Sequence, residues 1–101
     1  MQTTSVILAD SQYLIRFGLK SLLSEQSNIQ IVAEAHNEED LEIELKNHSP
    51  KVVILDYNQP NHFSTDTVVK IKQISPETNV LIISNDREKQ GIYQVLEYGV
   101  N

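Results

Sequence analysis

Short apolar runs alternate along the chain with longer stretches in which apolar residues recur at three- and four-residue spacing, the mark of strands followed by amphipathic helices. "SVILAD" predicts a first strand, and Leu14, Ile15, Phe17, Leu19, Leu22 and Leu23 in "YLIRFGLKSLLSE" predict a helix behind it. "IQIVAEA" predicts a second strand and "NEEDLEIELKNH" a second helix. In that segment Leu41, Ile43 and Leu45 alternate with polar residues as a strand would. Helix is preferred because Asn37 suits an N-cap, acids fill the first turn, and glutamate is a good helix former. "KVVILD" predicts a third strand, whose unbroken run Val52 to Leu55 calls for burial on both faces. After a loop through "YNQPNHF", a helix is expected from about Ser64 to Ile74 with Val68, Val69 and Ile71 inward, closed by Ser75-Pro76. "NVLIIS" predicts a fourth strand and "REKQGIYQVLEYG" a fourth helix carrying Ile92, Val95 and Leu96, with Gly99 as its stop. Gly91 weakens that helix by about 1 kcal/mol relative to alanine. Another strand would be expected to start where the sequence reaches Val100-Asn101.

This alternation predicts an α/β domain around a parallel sheet. A length of 101 residues suits one domain, with no repeat, low-complexity segment or linker to divide it. The net charge of −6 and the scatter of eight Lys and Arg argue against a direct grip on nucleic acid. Absence of cysteine excludes disulfides and thiolate metal sites. No signal-peptide core or membrane-length apolar run is present, so a soluble cytoplasmic domain without membrane contact is expected.

In sheets of this kind ligands bind beyond the carboxyl ends of the strands, where the strand order reverses. The first strand ends in Asp10-Ser11, the third in Asp56 and the fourth in Ser84-Asn85. Taken singly, Asp56 reads as a turn starter, Asp10 as an N-cap of the first helix and Ser84 as an ordinary strand-end hydroxyl. If strands one and three are neighbours, two carboxylates and a hydroxyl meet on one rim, an oxygen-only set suited to a hard cation such as Mg²⁺. A carboxylate beside such a cation can accept a phosphoryl group. His36, His48 and His62 lack metal-site spacing and are expected as exposed loop or helix-end residues, with His62 near the presumed site.

The chain resembles the receiver domain of two-component response regulators. "VILADSQYLIRFGLKSLL" is similar to the opening of the subfamily that usually carries a C-terminal LuxR-type helix-turn-helix. The resemblance covers nearly the whole chain and rests on the pair of apolar strands that each end in an Asp, Asp10 and Asp56, the D-x-N-x-P order of Asp56, Asn58 and Pro60, and the Ser84 hydroxyl. It implies a flavodoxin-like (CheY-like) doubly wound sheet of order 2-1-3-4-(5), with Asp10 beside Asp56. It also implies Asp56 as phosphoacceptor, Mg²⁺ held by Asp10, Asp56 and the Asn58 carbonyl, and Ser84 as the switch hydroxyl. The implied partners are a sensor histidine kinase and a second copy in a homodimer. The implied role is a phosphoacceptor rather than an enzyme, acting on transcription through a DNA-binding domain outside residues 1–101.

Several positions depart from the family pattern. Ser11 stands where receivers carry a second acid, and since second-shell losses typically cost about 10- to 100-fold in metal affinity, losing a carboxylate ligand should cost at least as much. Asn85 follows Ser84 where a small residue is usual. The fifth strand, fifth helix and following lysine have no counterpart, so residues 1–101 are expected to form a C-terminally incomplete receiver whose fourth strand is an exposed edge. Ser11 favours the alternative of a phosphate-independent pseudo-receiver, whereas Asp56, Asn58 and Pro60 favour a working receiver. An aspartyl-nucleophile phosphohydrolase needs a second aspartate where Asn58 stands. A flavin or nucleotide binder lacks its phosphate loop after strand one.

Overall fold

The computed structural model describes residues 3–10, 12–56, 65–86 and 92–98. Strands β1 (Thr4–Ala9), β2 (Ile29–Ala35), β3 (Val52–Asp56), β4 (Asn79–Asp86) and β5 (Ile92–Tyr98) form one sheet in the order β2-β1-β3-β4-β5. The first four run parallel, the arrangement the sequence predicts, and helices α1 (Tyr13–Leu23), α2 (Glu38–His48) and α3 (Thr65–Ile74) connect them.

Alternate residues of the central strands feed two separate cores. Ile7 and Ala9 of β1, Val53 and Leu55 of β3, and Val80 and Ile82 of β4 pack with Leu41 and Leu45 of α2 and Val68 and Ile71 of α3. Val6 and Leu8 with Ile54 face the other way, where Leu19 and Leu23 of α1 meet them. Helices α2 and α3 therefore cover one face of the sheet and α1 the other. A one-residue slip of β1 or β3 would exchange the two sets of side chains, so burial on both faces fixes the register.

The helix-or-strand ambiguity of α2 is resolved by its N-terminus. The Asn37 side chain accepts a hydrogen bond from the Asp40 N–H at 2.8 Å, capping the helix. Leu41 and Leu45, one turn apart, are then buried while Ile43 is exposed. Glu38 ties this turn to α3, accepting from the Thr67 hydroxyl and the Lys70 ammonium, each at 2.6 Å. The Lys70 hydrogen bond, reinforced by Thr67, holds the Glu38 carboxyl below its usual range despite partial desolvation. At the amino ends of β3 and β4, Thr78 donates its hydroxyl to the Pro50 carbonyl at 2.6 Å and lies 2.6 Å from the Ser75 hydroxyl. That closes the lower pole without an unmet polar group on Thr78 or Ser75.

Three expectations need correction. Residues 92–98 are not a fourth helix but the strand β5, antiparallel to β4 from Asp86↔Ile92 to Val80↔Tyr98. The segment is rich in aromatic and branched residues that fit a pleated surface, and β4 offers a row of backbone groups for it to pair with. The edge of β4 is consequently covered. The parallel fifth strand and helix of the resemblance are not among the described elements. Val69 points outward at 52% exposure, because the core-facing stripe of α3 runs through Val68, Ile71 and Ile74.

Helix α1 spans the predicted residues, yet none of its side chains is fully buried. Leu14 is 77% exposed and Phe17 56%, with the Phe17 ring stacked on Tyr13 at 6.3 Å between centroids. Truncation should expose this asymmetry. Leu41→Ala should cost about 2–5 kcal/mol by emptying a packed site, whereas Leu14→Ala should stay within about 0.5 kcal/mol of the parent. Urea unfolding of the two variants measures both.

Candidate functional site at the carboxyl ends of the strands

Register brings the predicted residues to one rim. Ala9 pairs with Leu55, so Asp10 and Asp56 follow at the same level of neighbouring strands. Asp56 in turn pairs with Ile83, which places Ser84 next along β4. Parallel neighbours lie about 4.8 Å apart, so Asp10 and Asp56 sit side by side at the upper edge of β1 and β3, whereas β4 does not end at Ser84-Asn85 but continues to Asp86, with Ser84 inside it. Asn85 follows within β4, opposite Tyr93 of β5. The expectations for Ser11, Asn58, Pro60 and His62 lie outside the described residues.

Among the described residues, Asp10 is the only buried carboxylate, at 1% exposure. Taking a carboxylate out of water is costly unless its surroundings compensate, and three hydrogen bonds among the described residues help to hold this one. Its N–H donates to the Ala35 carbonyl of β2 at 2.9 Å. Its Oδ1 accepts from the Gln12 N–H at 2.7 Å, and its carbonyl accepts from Arg16 Nη1 at 2.6 Å. Asp10 does not cap α1 as the sequence suggested. The N-cap position is Gln12, without a side-chain cap, and Asp10 makes a local turn to the residue two ahead.

Arg16 belongs to a network that the sequence reading did not anticipate. Its Nε meets Glu34 Oε1 at 3.2 Å, while Lys20 Nζ meets Glu34 Oε2 at 3.0 Å. Both cations lie one turn apart on α1, and Glu34 projects from β2 toward them. A glutamate within the apolar "IVAEA" strand was the available signal, since an acid in a half-covered strand calls for a cation. The Lys20 hydrogen bond leads in holding the Glu34 carboxyl below its usual range, with Arg16 adding to it against desolvation.

His36 and His48 are paired within α2 or at its entrance, His36 with Asp40 at 2.6 Å and His48 with Glu44 at 3.4 Å. Among the described residues no three His, Cys, Asp or Glu side chains gather as a metal cluster. An oxygen-only set built on Asp10 and its neighbouring strand ends suits a hard cation better than a nitrogen- or sulfur-preferring one.

Comparison with known proteins agrees with this architecture. Residues 6–101 match the response regulator receiver domain family, and the chain belongs to it. The response regulator protein VraR of Staphylococcus aureus is 25% identical over 99 residues, covering 98% of this chain and 47% of VraR. The chain thus spans about half the length of the curated relatives it matches. The signal receiver domain of the response regulator NarL from Mycobacterium tuberculosis superposes with a TM-score of 0.76 at 27% identity, covering 85% of this chain and 69% of that one. The response regulator domain of Thermotoga maritima CheB shares the fold at a TM-score of 0.74 and 20% identity, over 83% of this chain and 62% of its own. Receiver domains are signalling domains rather than typical enzymes. They are phosphorylated by sensor histidine kinases, often dimerise, and generally bind Mg²⁺ at the phosphorylation site. Among the described residues no helix is long and apolar enough to cross a membrane.

The Glu34 contacts carry a pH signature. A carboxyl whose folded pKa lies below its ordinary 4.5 contributes stability that is present above that pH and is lost as pH falls through the folded value. Replacing Glu34 by Gln removes this contribution. The decline of the urea midpoint on acidification below about pH 4.5 should then be shallower in Glu34→Gln than in the parent.

Proposed function

We propose that this chain is the phosphoacceptor domain of a two-component response regulator and takes its phosphoryl group on Asp56. The observation that supports the reading is the shared level of Asp10 and Asp56 at the ends of two parallel neighbours, with Ser84 one residue further along β4 and Asp10 buried and held. In the transfer a carboxylate oxygen of Asp56 forms a bond to phosphorus as the phosphorus–nitrogen bond of a kinase phosphohistidine breaks, and the released imidazole nitrogen takes up a proton. Asp10, Asp56 and the Asn58 carbonyl would hold Mg²⁺, which supplies charge neutralisation for the incoming group. The phosphoryl group carries roughly −1.5 to −2 charge and strong acceptor oxygens. Ser84 would donate to one of those oxygens, and the resulting shift of β4 would alter the surface offered to a partner or a second copy. A cytoplasmic location follows from a kinase donor. Control of transcription would pass through a DNA-binding domain outside residues 1–101, in keeping with the greater length of VraR.

A second reading, a phosphate-independent interaction module, is favoured by Ser11, which puts a neutral hydroxyl where receivers carry a second acid. Intact mass after incubation with acetyl phosphate separates the two. One phosphoryl group should add in the presence of Mg²⁺, and none should add with a chelator or in Asp56→Asn. Failure of the parent to gain mass, with gain restored by Ser11→Asp, would overturn the first reading in favour of the second.

A further inference from the structure

We infer that Arg16 is a positioning residue for the acid rim, anchored by Glu34 and acting on the carboxylate of Asp10 through its backbone. The inference rests on the reading that the rim holds a cation. Asp10 is pinned at three atoms from three directions: its N–H by β2, its carbonyl by Arg16 and its Oδ1 by the Gln12 N–H. The Asp10 carbonyl that Arg16 grips and the Asp10 Oδ1 that Gln12 holds belong to one residue where the chain leaves β1, so the two bonds act together on it. The Gln12 N–H then sets where the carboxylate points. Without Arg16 the Asp10 carbonyl is loosened, and the Gln12 bond that orients Oδ1 is loosened with it.

Arginine suits the task because it must reach two acceptors at once. Nη1 meets the Asp10 carbonyl at 2.6 Å while Nε meets Glu34 at 3.2 Å, and the planar guanidinium keeps the two donors in fixed relation. Tyr13 lies beneath it, with the guanidinium carbon 5.7 Å from the ring centroid, and further limits its motion. Glu34 supplies the anchor, and Lys20 is bound to its other oxygen. Lys20 bonds to Glu34, whereas the described hydrogen bond to the Asp10 carbonyl comes from Arg16, which makes Lys20 the natural control: it shares the anchor but not the grip.

Amide-resolved NMR on the whole chain tests the inference, with Mg²⁺ as titrant and urea unfolding to confirm that each variant is folded. Arg16→Met, which keeps most of the apolar stem, should bind Mg²⁺ roughly ten-fold more weakly, the lower range for loss of an outer-shell partner. Its Gln12 amide should also exchange faster. Arg16→Lys should fall between Arg16→Met and the parent, because an ammonium meets only one of the two acceptors well. Lys20→Met should match the parent in both readouts. If Arg16→Met does not fold, Glu34→Gln removes the charged anchor and should shift both readouts in the same direction. Parent-like Mg²⁺ affinity and Gln12 exchange in a folded Arg16→Met or Glu34→Gln protein would overturn the inference. A parent that binds no Mg²⁺ would defeat the cation reading instead. Gln12 exchange would still judge the positioning, faster exchange in Arg16→Met supporting it and unchanged exchange refuting it.

Discussion

Strands β1 and β3 are covered on both faces, and that constraint governs everything above them. Ile7 and Ala9 enter one core while Val6 and Leu8 enter the other, and Val53, Leu55 and Ile54 repeat the division next door. Moving either strand by one residue would bury each set in the wrong layer. The level at which the strands stop is therefore set by packing. Two aspartates that follow the paired residues Ala9 and Leu55 are brought together by a hydrophobic requirement rather than by any attraction between them.

The two cores differ in how fully they are closed. Among the described elements, two helices cover the face containing Leu41, Leu45 and Ile71, whereas α1 alone covers the other and leaves Leu14 and Phe17 exposed. Helical periodicity identifies which residues share a face, but burial depends on whether a second element arrives to cover it. Val69 makes the same point at smaller scale. It is apolar and next to Val68 in sequence, yet Val68, Ile71 and Ile74 are the α3 side chains that pack into the core.

Polar groups mark the two ends of the sheet in contrasting ways. At the lower pole Thr78, Ser75 and Pro50 satisfy one another within a few residues of chain and one crossover, a closed arrangement suited to structure. At the upper rim the buried group is a carboxylate, and its support comes from β2, from the turn to Gln12 and from α1. A carboxyl group held this firmly at a strand end, on the side where α/β sheets bind ligands, is the feature on which the proposed phosphoacceptor role rests.

Strand and helix order, the capped start of α2, and the pairing of apolar strands with terminal acids were legible in the sequence because each depends on local spacing and residue type. The D-x-N-x-P order and Ser84 likewise pointed to the family. Three things were decided only by tertiary structure. Residues 92–98 carry a pattern compatible with either helix or strand, and the open edge of β4 selected the strand. The convergence of Arg16, Lys20 and Glu34 depends on β2 lying beside β1 beneath α1, a proximity that sequence separation conceals. Asp10 looked like a helix cap because capping is a short-range preference, but the path of the chain through Gln12 turned its carboxylate to a different N–H and placed its carbonyl in the grasp of Arg16.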